Sequence, residues 1–264
     1  MSITGRSYNF THAIVRIPSK SVIDGLNSKN QSAPNADRFL DEHIAYTNVL
    51  QASGVQVTVL PKLEQFPDSV FVEDAALCLA GTSILLRPGA PTRFGESEAI
   101  RPELAKLFSN VIAMPGPGFV DGGDVLATDS ELFVGLSART DQAGFDALSE
   151  IVEPLGYKTR LVNTPPEILH FKTDCGLLDS NTIFSTQALA DTGCFEGYNV
   201  ITAPEGEEAA ANLVRFNECV LVSAGYNKTL NKLNDNGYSV VAVASREAAK
   251  IDGGLSCMSL RFSI

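Results

Sequence analysis

The sequence predicts an α/β fold in which a strand–strand–helix–strand unit is repeated five times around a central cavity, as a five-fold pseudo-symmetric propeller. Strand pairs separated by turn signals recur along the chain, with helical segments between them. One polar residue on the first strand of each pair recurs at intervals of 47, 49, 42 and 45 residues, at Asp74, Asp121, His170, Asn212 and Cys257. A period of about 40–50 residues is typical of propellers and repeat arrays.

The first half of the chain predicts one complete unit and two hairpins. HAIVRI (12–17) and VQVTVL (55–60) alternate as strands on either side of the helix NADRFLDEHIAYTNVLQASG. Its inward residues are expected to be Phe39, Leu40, Ile44, Val49 and Leu50. SVFVEDAALCLAGTSILLRPG predicts a hairpin around Ala80-Gly81, followed by a helix near 97–109, and FVDGGDVLATDSELFVGLS predicts the next hairpin.

The second half repeats this pattern. DQAGFDALSEIVEPLG predicts a helix closed by Gly156, and LHFKTDCGLLDSNTIFST and ANLVRFNECVLVSAG predict two more hairpins. A short helix ends at Gly237, YSVVAVA is a strand, and Ser245 is expected to cap a further short helix. The final segment, KIDGGLSCMSLRFSI, is expected to pair with HAIVRI and so close the ring as a single catalytic domain over residues 1–264.

Composition narrows the range of partners. The chain carries 31 acidic against 20 basic residues, for a net charge of -11, without a basic stripe. Nucleic acid and anionic membranes are therefore not expected partners, whereas a small cationic ligand would be attracted. No apolar run reaches membrane-spanning length and the first residues lack a secretory pattern, so we expect a cytoplasmic protein. The oligomeric state is left open, with a homodimer as one expectation.

The five cysteines form neither a disulfide framework nor a zinc motif, because they are widely spaced and lack a C-x-x-C pair. The three histidines are not at helical spacing from one another, and nucleotide-binding glycine motifs are absent. We therefore expect neither a dedicated metal site nor a bound nucleotide.

Cys257 and His170 are the candidate nucleophile and general acid/base. A lone cysteine is usually a small buried hydrophobe, and a lone histidine in an apolar strand is usually a satisfied core residue. Repeat phasing sets the two opposite each other, and Gly253-Gly254 before the cysteine allows close backbone approach. A thiol paired with an imidazole is a common activated nucleophile.

Charged residues near the other repeat positions suggest an arginine-like ligand. Asp68, Glu73 and Asp74 occur within FPDSVFVED, and Asp121 within VDGGDVL. Inward carboxylates suit a flat cation with several N–H donors, such as a guanidinium. Arg93 and Arg139 follow strands on loops, where arginine commonly holds a carboxylate, although either is equally expected on a solvated surface.

The chain resembles the dimethylarginine dimethylaminohydrolases, of the guanidine-modifying enzymes with the pentein fold. The motifs FPDSVFVED, RPGAPTR, DGGDV, FVGLSARTD, LHFK, AAN and KIDGGLSCMSLRF carry the resemblance in this order. It implies hydrolysis of Nω-methylated arginines to citrulline and dimethylamine or methylamine, through a covalent thiouronium and without a cofactor.

The resemblance also implies residue roles. Cys257 would be the nucleophile and His170 the proton donor and later the base. Asp74 would grip the guanidinium with Asp121, where close bacterial relatives have glutamate. Asp68 and Glu73 would bound the site and help to position His170. The implied binding groups for the amino-acid end are Arg93 and Arg139 for the carboxylate and the carbonyls of Leu26 and Ile251 for the α-ammonium.

Two alternatives remain. One is a deiminase of the same fold acting on arginine or another guanidino compound such as agmatine. Agmatine would leave Arg93 and Arg139 without a carboxylate, and arginine deiminases carry an extra helical module for which this chain has no room. The other is a non-catalytic binder of guanidino compounds, which would not need a thiol paired with a base. The segment 19–34, rich in Ser and Asn, is expected either as a mobile flap over the site or as an ordinary surface loop.

Overall fold

The ring of five repeats is confirmed. The structure, a computed structural model, describes residues 7–264. The described strands form five sheets of three strands each. The first six residues, which contribute to the expectation that no secretory signal is present, lie outside the described residues.

The elements follow one another in the predicted order. The first two blades contain β1 (His12–Arg16), α1 (Ala36–Ala52), β2 (Gln56–Leu60), β3 (Ala76–Leu79), β4 (Thr82–Leu85), α2 (Glu96–Leu107) and β5 (Asn110–Ala113). The third and fourth contain β6 (Val125–Ala127), β7 (Glu131–Leu136), α3 (Gln142–Val152), β8 (Lys158–Asn163), β9 (Cys175–Asp179), β10 (Thr182–Ser185), α4 (Gln187–Ala190) and β11 (Asn199–Thr202). The fifth contains β12 (Val214–Phe216), β13 (Cys219–Ser223), α5 (Asn227–Asp235) and β14 (Ser239–Val243), followed by α6 (Arg246–Ala249) and β15 (Leu260–Phe262).

Each blade has one antiparallel and one parallel strand pair. In the second blade β3 and β4 form the hairpin, and β4 runs parallel to β5 after the crossover through α2. Ala80 and Gly81 both have positive φ, at 46° and 75°, as a tight two-residue hairpin requires. The same pairing recurs in the other blades, so each hairpin turn lies at the far end of its first strand.

The two ends of the chain meet in the first blade, as predicted. β15 pairs antiparallel with β1, with His12 opposite Phe262 and Ile14 opposite Leu260. β1 also pairs parallel with β2. The last strand therefore supplies the inner strand of the first blade and closes the ring.

The apolar core is divided among the joints between blades. Five clusters of buried apolar side chains lie around the ring, and each fills the joint between two neighbouring blades. Because most apolar residues are used between the blades, one end of the axis is left to polar side chains. Of the described helices, none has the length and apolar character needed to cross a membrane.

The polar repeat residues do not lie on the first strands, and this prediction was wrong in detail. Asp74 lies in a short 3₁₀ helix (Val72–Ala75), Asp121 and His170 precede similar turns (Gly122–Asp124 and Phe171–Thr173), and Asn212 follows one (Glu208–Ala211). Cys257 lies in a turn before β15. The backbone tightens into these turns immediately before strand pairing begins, so the side chains stand at one end of the axis.

Two predictions about helices also need correction. In α1 the buried residues include Phe39, His43, Tyr46 and Leu50, whereas Ile44 is 49% exposed. The buried set follows a spacing of three and four residues, and Ile44 falls about 100° away from it. Ser245 precedes α6, but its hydroxyl bonds the hydroxyl of Ser223 at 2.8 Å rather than a helix N–H.

Candidate active site

Asp74 lies at the polar end of the axis with both carboxylate oxygens engaged. Its Oδ2 accepts a hydrogen bond from Nη1 of Arg93 at 2.5 Å, and its Oδ1 accepts one from the backbone N–H of Gly123 at 2.7 Å. Burial alone would raise the pKa of Asp74, but the charges of Arg93 and His170 outweigh it and lower the pKa to about 2. Asp74 is therefore a fixed negative charge.

Arg93, predicted on a loop, is buried and is held by Glu96. Nε and Nη2 of Arg93 donate to the Glu96 carboxylate at 2.7–3.1 Å, and Nη2 also donates to the carbonyl of Phe71 at 2.9 Å. Glu96 stands in the first turn of α2, where the helix dipole favours an acid. The sequence analysis missed Glu96, although the spacing R-x-x-E in RFGE was the available signal. The role of Arg93 in holding a substrate carboxylate stays a prediction.

Asp121 and His170 come together although they are 49 residues apart. Oδ2 of the fully buried Asp121 lies 2.9 Å from Nε2 of His170, and its Oδ1 accepts a hydrogen bond from the Gly89 N–H at 2.7 Å. Nη1 of Arg139, a partly exposed side chain, is 3.8 Å from the same Oδ2. Asp121 therefore links the histidine to one of the two predicted arginines.

His170 is held in its cationic form. Burial by itself would lower its pKa, but the carboxylates of Asp124, Asp74 and Asp121 outweigh burial and raise the pKa to about 9. Asp124 also accepts the backbone N–H of Phe171 at 2.8 Å, and so fixes the segment that carries His170. A Cβ at Gly123 would come within 2.8 Å of His170 Nδ1, so glycine is required there for the imidazole to lie against the turn.

Cys257 is a buried thiol that is protonated at rest. Burial and the charges of Glu73 and Asp74 raise its pKa to about 11. Nδ2 of Asn212 lies 3.9 Å from its Sγ, and its carbonyl accepts the Glu73 N–H at 3.2 Å. A Cβ at Gly254 would meet the Asn212 side chain at 2.4 Å, so the glycine before the cysteine allows this close approach, as the sequence predicts.

Asp68, Leu26 and Ile251 converge at the edge of the site. Oδ1 of Asp68 accepts the Leu26 N–H at 3.0 Å. A Cβ at Gly25 would lie 3.1 Å from both Asp68 and the Ile251 side chain. Segment 19–34 is joined to the site here and through the Ser28 N–H, which donates to Asp252. Whether the segment acts as a flap, and whether the two carbonyls hold an α-ammonium, stay predictions.

Glu73 faces away from Asp74 and pairs with two cations that the sequence analysis missed. Its Oε1 accepts a hydrogen bond from Lys172 at 2.6 Å and also one from Nη2 of Arg261. Glu73 thus contacts the segment that carries His170 through Lys172. A lysine in the apolar stretch LHFKTDCGLL was the one available signal for this pair.

Asp74, Asp121 and His170 also meet the geometry of a metal site, since one ligand atom from each lies within 4.8 Å of the others. These atoms already bind one another, Arg93 and backbone N–H groups. The expectation that the protein needs no metal stays a prediction.

A thiol, a cationic histidine and buried carboxylates on the axis of a five-bladed α/β ring define the class of the guanidine-modifying propeller enzymes. A family model described as "N,N dimethylarginine dimethylhydrolase, eukaryotic" matches residues 20–170, more than half of the chain. A dimethylarginine dimethylaminohydrolase from Pseudomonas aeruginosa is 39% identical over 96% of this chain and 100% of its own length.

Two solved structures agree with that match. The Pseudomonas enzyme, as a cysteine-to-serine mutant complexed with citrulline, has a TM-score of 0.93 at 38% identity and covers 97% of this chain and 100% of its own. A dimethylarginine dimethylaminohydrolase with a histidine-to-glycine substitution, solved as an adduct with S-methyl-L-thiocitrulline, has the same TM-score and identity and covers 96% and 100%. The chain belongs to the dimethylarginine dimethylaminohydrolase family, and it is a hydrolase.

Proposed function

We propose that this protein hydrolyses asymmetric dimethylarginine and monomethylarginine to citrulline and dimethylamine or methylamine, through a covalent thiouronium on Cys257. Family membership supports the reaction. The observation that carries the residue assignment is the acidic end of the axis, where carboxylates keep His170 cationic and act on the Cys257 thiol.

The carboxylates explain why a guanidinium is the substrate group. Delocalisation of its positive charge makes a guanidinium a poor electrophile, and loss of its proton would make it poorer still. Neighbouring carboxylates keep it protonated. Asp74 is ionised over the whole physiological range because its pKa is about 2, and Asp68 lies nearby with its carbonyl against Arg93. A planar cation with several N–H donors is the ligand that such carboxylates hold best.

The same cation ionises the nucleophile. A thiol with a pKa of about 11 is neutral in the free enzyme near pH 7. A guanidinium docked beside Cys257 offsets the charges of Glu73 and Asp74 and stabilises the thiolate, so the pKa falls when the substrate binds. The thiol proton is released to solvent in this step, and the nucleophile forms only in the presence of substrate.

His170 then transfers protons in both half-reactions. The thiolate forms a bond to the guanidinium carbon, and the bond from that carbon to the methylated nitrogen breaks as His170 gives that nitrogen a proton. The neutral imidazole next takes one proton from water, whose oxygen adds to the thiouronium carbon. The carbon–sulfur bond then breaks, and the second water proton returns to the departing thiolate as the citrulline carbonyl forms. Asp121, bound to Nε2, keeps the ring oriented.

Arg139 is the better placed of the two arginines to hold the substrate carboxylate. It is partly exposed, and its nearest charged partner, Asp121, is 3.8 Å away. Arg93 is occupied by Asp74 and Glu96, so its contribution comes mainly through Asp74. The carbonyls of Leu26 and Ile251 lie on segments that meet at Asp68, where an α-ammonium would complete the amino-acid subsite.

Citrulline release from asymmetric dimethylarginine, monomethylarginine, arginine and agmatine tests the proposal, with Cys257→Ser as the control. We expect turnover of the two methylated substrates and none by the variant. Turnover of arginine alone would overturn the substrate assignment. Binding of methylarginine without turnover would favour the non-catalytic alternative.

The proposal extends to the location and the domain organisation of the enzyme. We place the enzyme in the cytoplasm as a single catalytic domain that acts on a small cationic substrate. Support comes from the five cysteines, all of which are free thiols, as in a reducing compartment. A homodimer stays an expectation for sedimentation analysis to decide.

A further inference from the structure

The ring axis holds a cavity at the end opposite the candidate active site. Each first strand leads from a polar repeat residue to a hairpin turn, so the repeat residues and the turns mark opposite ends of the axis. A cavity of about 230 Å³ is lined by first strands of all five blades and by the Ala80-Gly81 turn. Its lining includes neither Cys257 nor His170, and it is therefore a separate space.

The cavity has a charged inner end and apolar walls. Glu73, Lys172 and Arg261 line the inner end, while Leu126 and Leu177 are among the apolar side chains of the walls. Arg215 lines the cavity as well. Mostly apolar walls with a few convergent polar groups are the usual composition of a small-molecule site.

The charges in this cavity oppose the charge of the protein. Lys172, Arg215 and Arg261 supply three cations against the single carboxylate of Glu73, in a chain whose net charge is -11. A concave site with apolar walls concentrates such a local field. The field favours an anion, which the rest of the surface repels.

At the inner end both N–H donors and one acceptor lack partners, since Oε2 of Glu73 has no hydrogen-bond partner among the described residues. Lys172 is 93% buried, at 7% exposure, and among the described residues its one hydrogen-bond partner is Oε1 of Glu73. Arg261 donates to the same oxygen. Two further ammonium N–H groups thus lack an acceptor among the described residues, and they outnumber the one unpartnered oxygen of Glu73.

We propose that this cavity is a second ligand site, for a small carboxylate with an apolar body. The carboxylate would accept the spare hydrogen bonds of Lys172 beside Arg261, and the hydrocarbon would pack against Leu126 and Leu177. Glu73, Lys172 and Ser256 lie within two residues of Asp74, His170 and Cys257 in sequence, so an occupant contacts residues that adjoin the catalytic residues along the chain. Such a ligand slows turnover without competing with the substrate.

Fluorescence titration with hexanoate tests the site in a Phe108→Trp background. The chain has no tryptophan and Phe108 lines the cavity, so the substituted side chain is the sole tryptophan reporter. We expect saturable binding of hexanoate and at least about tenfold weaker binding of 1-hexanol and hexylamine, which share its chain length but lack the carboxylate. Equal binding of the alcohol, or no binding of hexanoate, would overturn the proposal.

Three variants locate the bound hexanoate. Leu177→Trp fills the cavity and should weaken binding about tenfold or more; because this protein would contain a second tryptophan, its titration is followed by calorimetry. Lys172→Met removes the head-group contact and serves if Leu177→Trp fails to fold, since Glu73 keeps Arg261. Arg139→Gln, on the catalytic side, should leave the affinity unchanged. Loss of binding in Arg139→Gln alone would mean that hexanoate occupies the active site and would refute the second site.

Kinetics supply an independent readout. Saturating hexanoate should lower kcat for methylarginine and leave KM unchanged. A rise in KM alone would again assign hexanoate to the active site. Since the titration does not require turnover, a failure of the proposed reaction and a failure of this second site give different results.

Discussion

Two buried histidines show how differently two regions of this protein treat the same side chain. His43 packs in the inner face of α1, and its Nε2 has no hydrogen-bond partner among the described residues. Burial lowers its pKa to about 4. His170, buried at the axis, has a pKa raised to about 9.

The difference lies in the neighbours and not in the depth of burial. At the joint between blades His43 is surrounded by apolar side chains such as Phe39 and Leu50, so nothing offsets the cost of removing a charge from water. At the axis three carboxylates face His170, and their charges more than offset that cost. A buried histidine is therefore a packing residue between the blades and a proton carrier at the axis.

Replacing each histidine by glutamine gives the largest expected contrast. His170→Gln should lower kcat on methylarginine by roughly 10²–10⁴-fold, the usual contribution of a general acid/base. His43→Gln should leave kcat within about twofold, because the His43 ring has no hydrogen bond to a catalytic residue among the described residues. Citrulline release measures both, with circular dichroism confirming folding. A loss of activity equal in the two variants would remove the distinction between the regions.

Asp121→Asn removes the carboxylate bonded to His170. The pKa of His170 should then fall towards its ordinary range, because one of the three charges that raise it is lost. At pH 8 the cationic fraction, and with it kcat, should drop by about tenfold if the pKa falls to about 7. The alkaline limb of the pH–rate profile should move to lower pH, and Asp121→Glu should restore it. An unchanged limb in Asp121→Asn would show that Asp121 does not control His170.

The thiols of Cys257 at the axis and Cys78 in a blade allow a second comparison of the two regions. In the free enzyme Cys257 should show no ionisation below about pH 8. The same titration can be repeated with methylarginine or citrulline bound. Burial raises the pKa of the blade residue Cys78 to about 12 and that of Cys257, helped by two carboxylates, to about 11. Iodoacetamide alkylation against pH, followed by mass spectrometry of each peptide, measures both. A Cys257 pKa well below neutrality would contradict ionisation on substrate binding.

The last expected effect concerns stability in acid rather than activity. The folded-state pKa of His43 is depressed, so its contribution is present above pH 6.5 and is lost as the pH falls through about 4. His43→Leu should therefore lose about 2 kcal/mol less unfolding free energy than the wild type between pH 7 and pH 5. The raised pKa of His170 acts oppositely: its contribution is complete below pH 6.5 and is lost as the pH rises through about 9.

Urea unfolding at pH 5, 7 and 9 measures these slopes. The wild type and His43→Leu should diverge on the acid side and run parallel on the alkaline side. Parallel curves throughout would mean that His43 titrates as it does in the unfolded chain.

Much of the architecture was predictable from local signals. The hairpin at Ala80-Gly81, the helices at α2 and α3, the repeat interval and the closure of β15 on β1 follow from turn residues and periodicity, which act over a few residues. The identities of Cys257 and His170 as candidates came from repeat phasing and family motifs. The turn conformation of the repeat residues was missed, because a short 3₁₀ turn and a strand start have similar composition.

The sequence by itself determined the number of blades, the order of their elements and which polar residues share the axis, because these depend on spacing along the chain. Only the tertiary structure decided the partners of those residues. Glu73 pairs with Lys172 and Arg261, which are 99 and 188 residues away in sequence. Arg93 pairs with Glu96 and Asp74. The opposite protonation of His43 and His170 belongs to the tertiary structure for the same reason: a pKa depends on burial and on the distance to other charges, and both are set by folding.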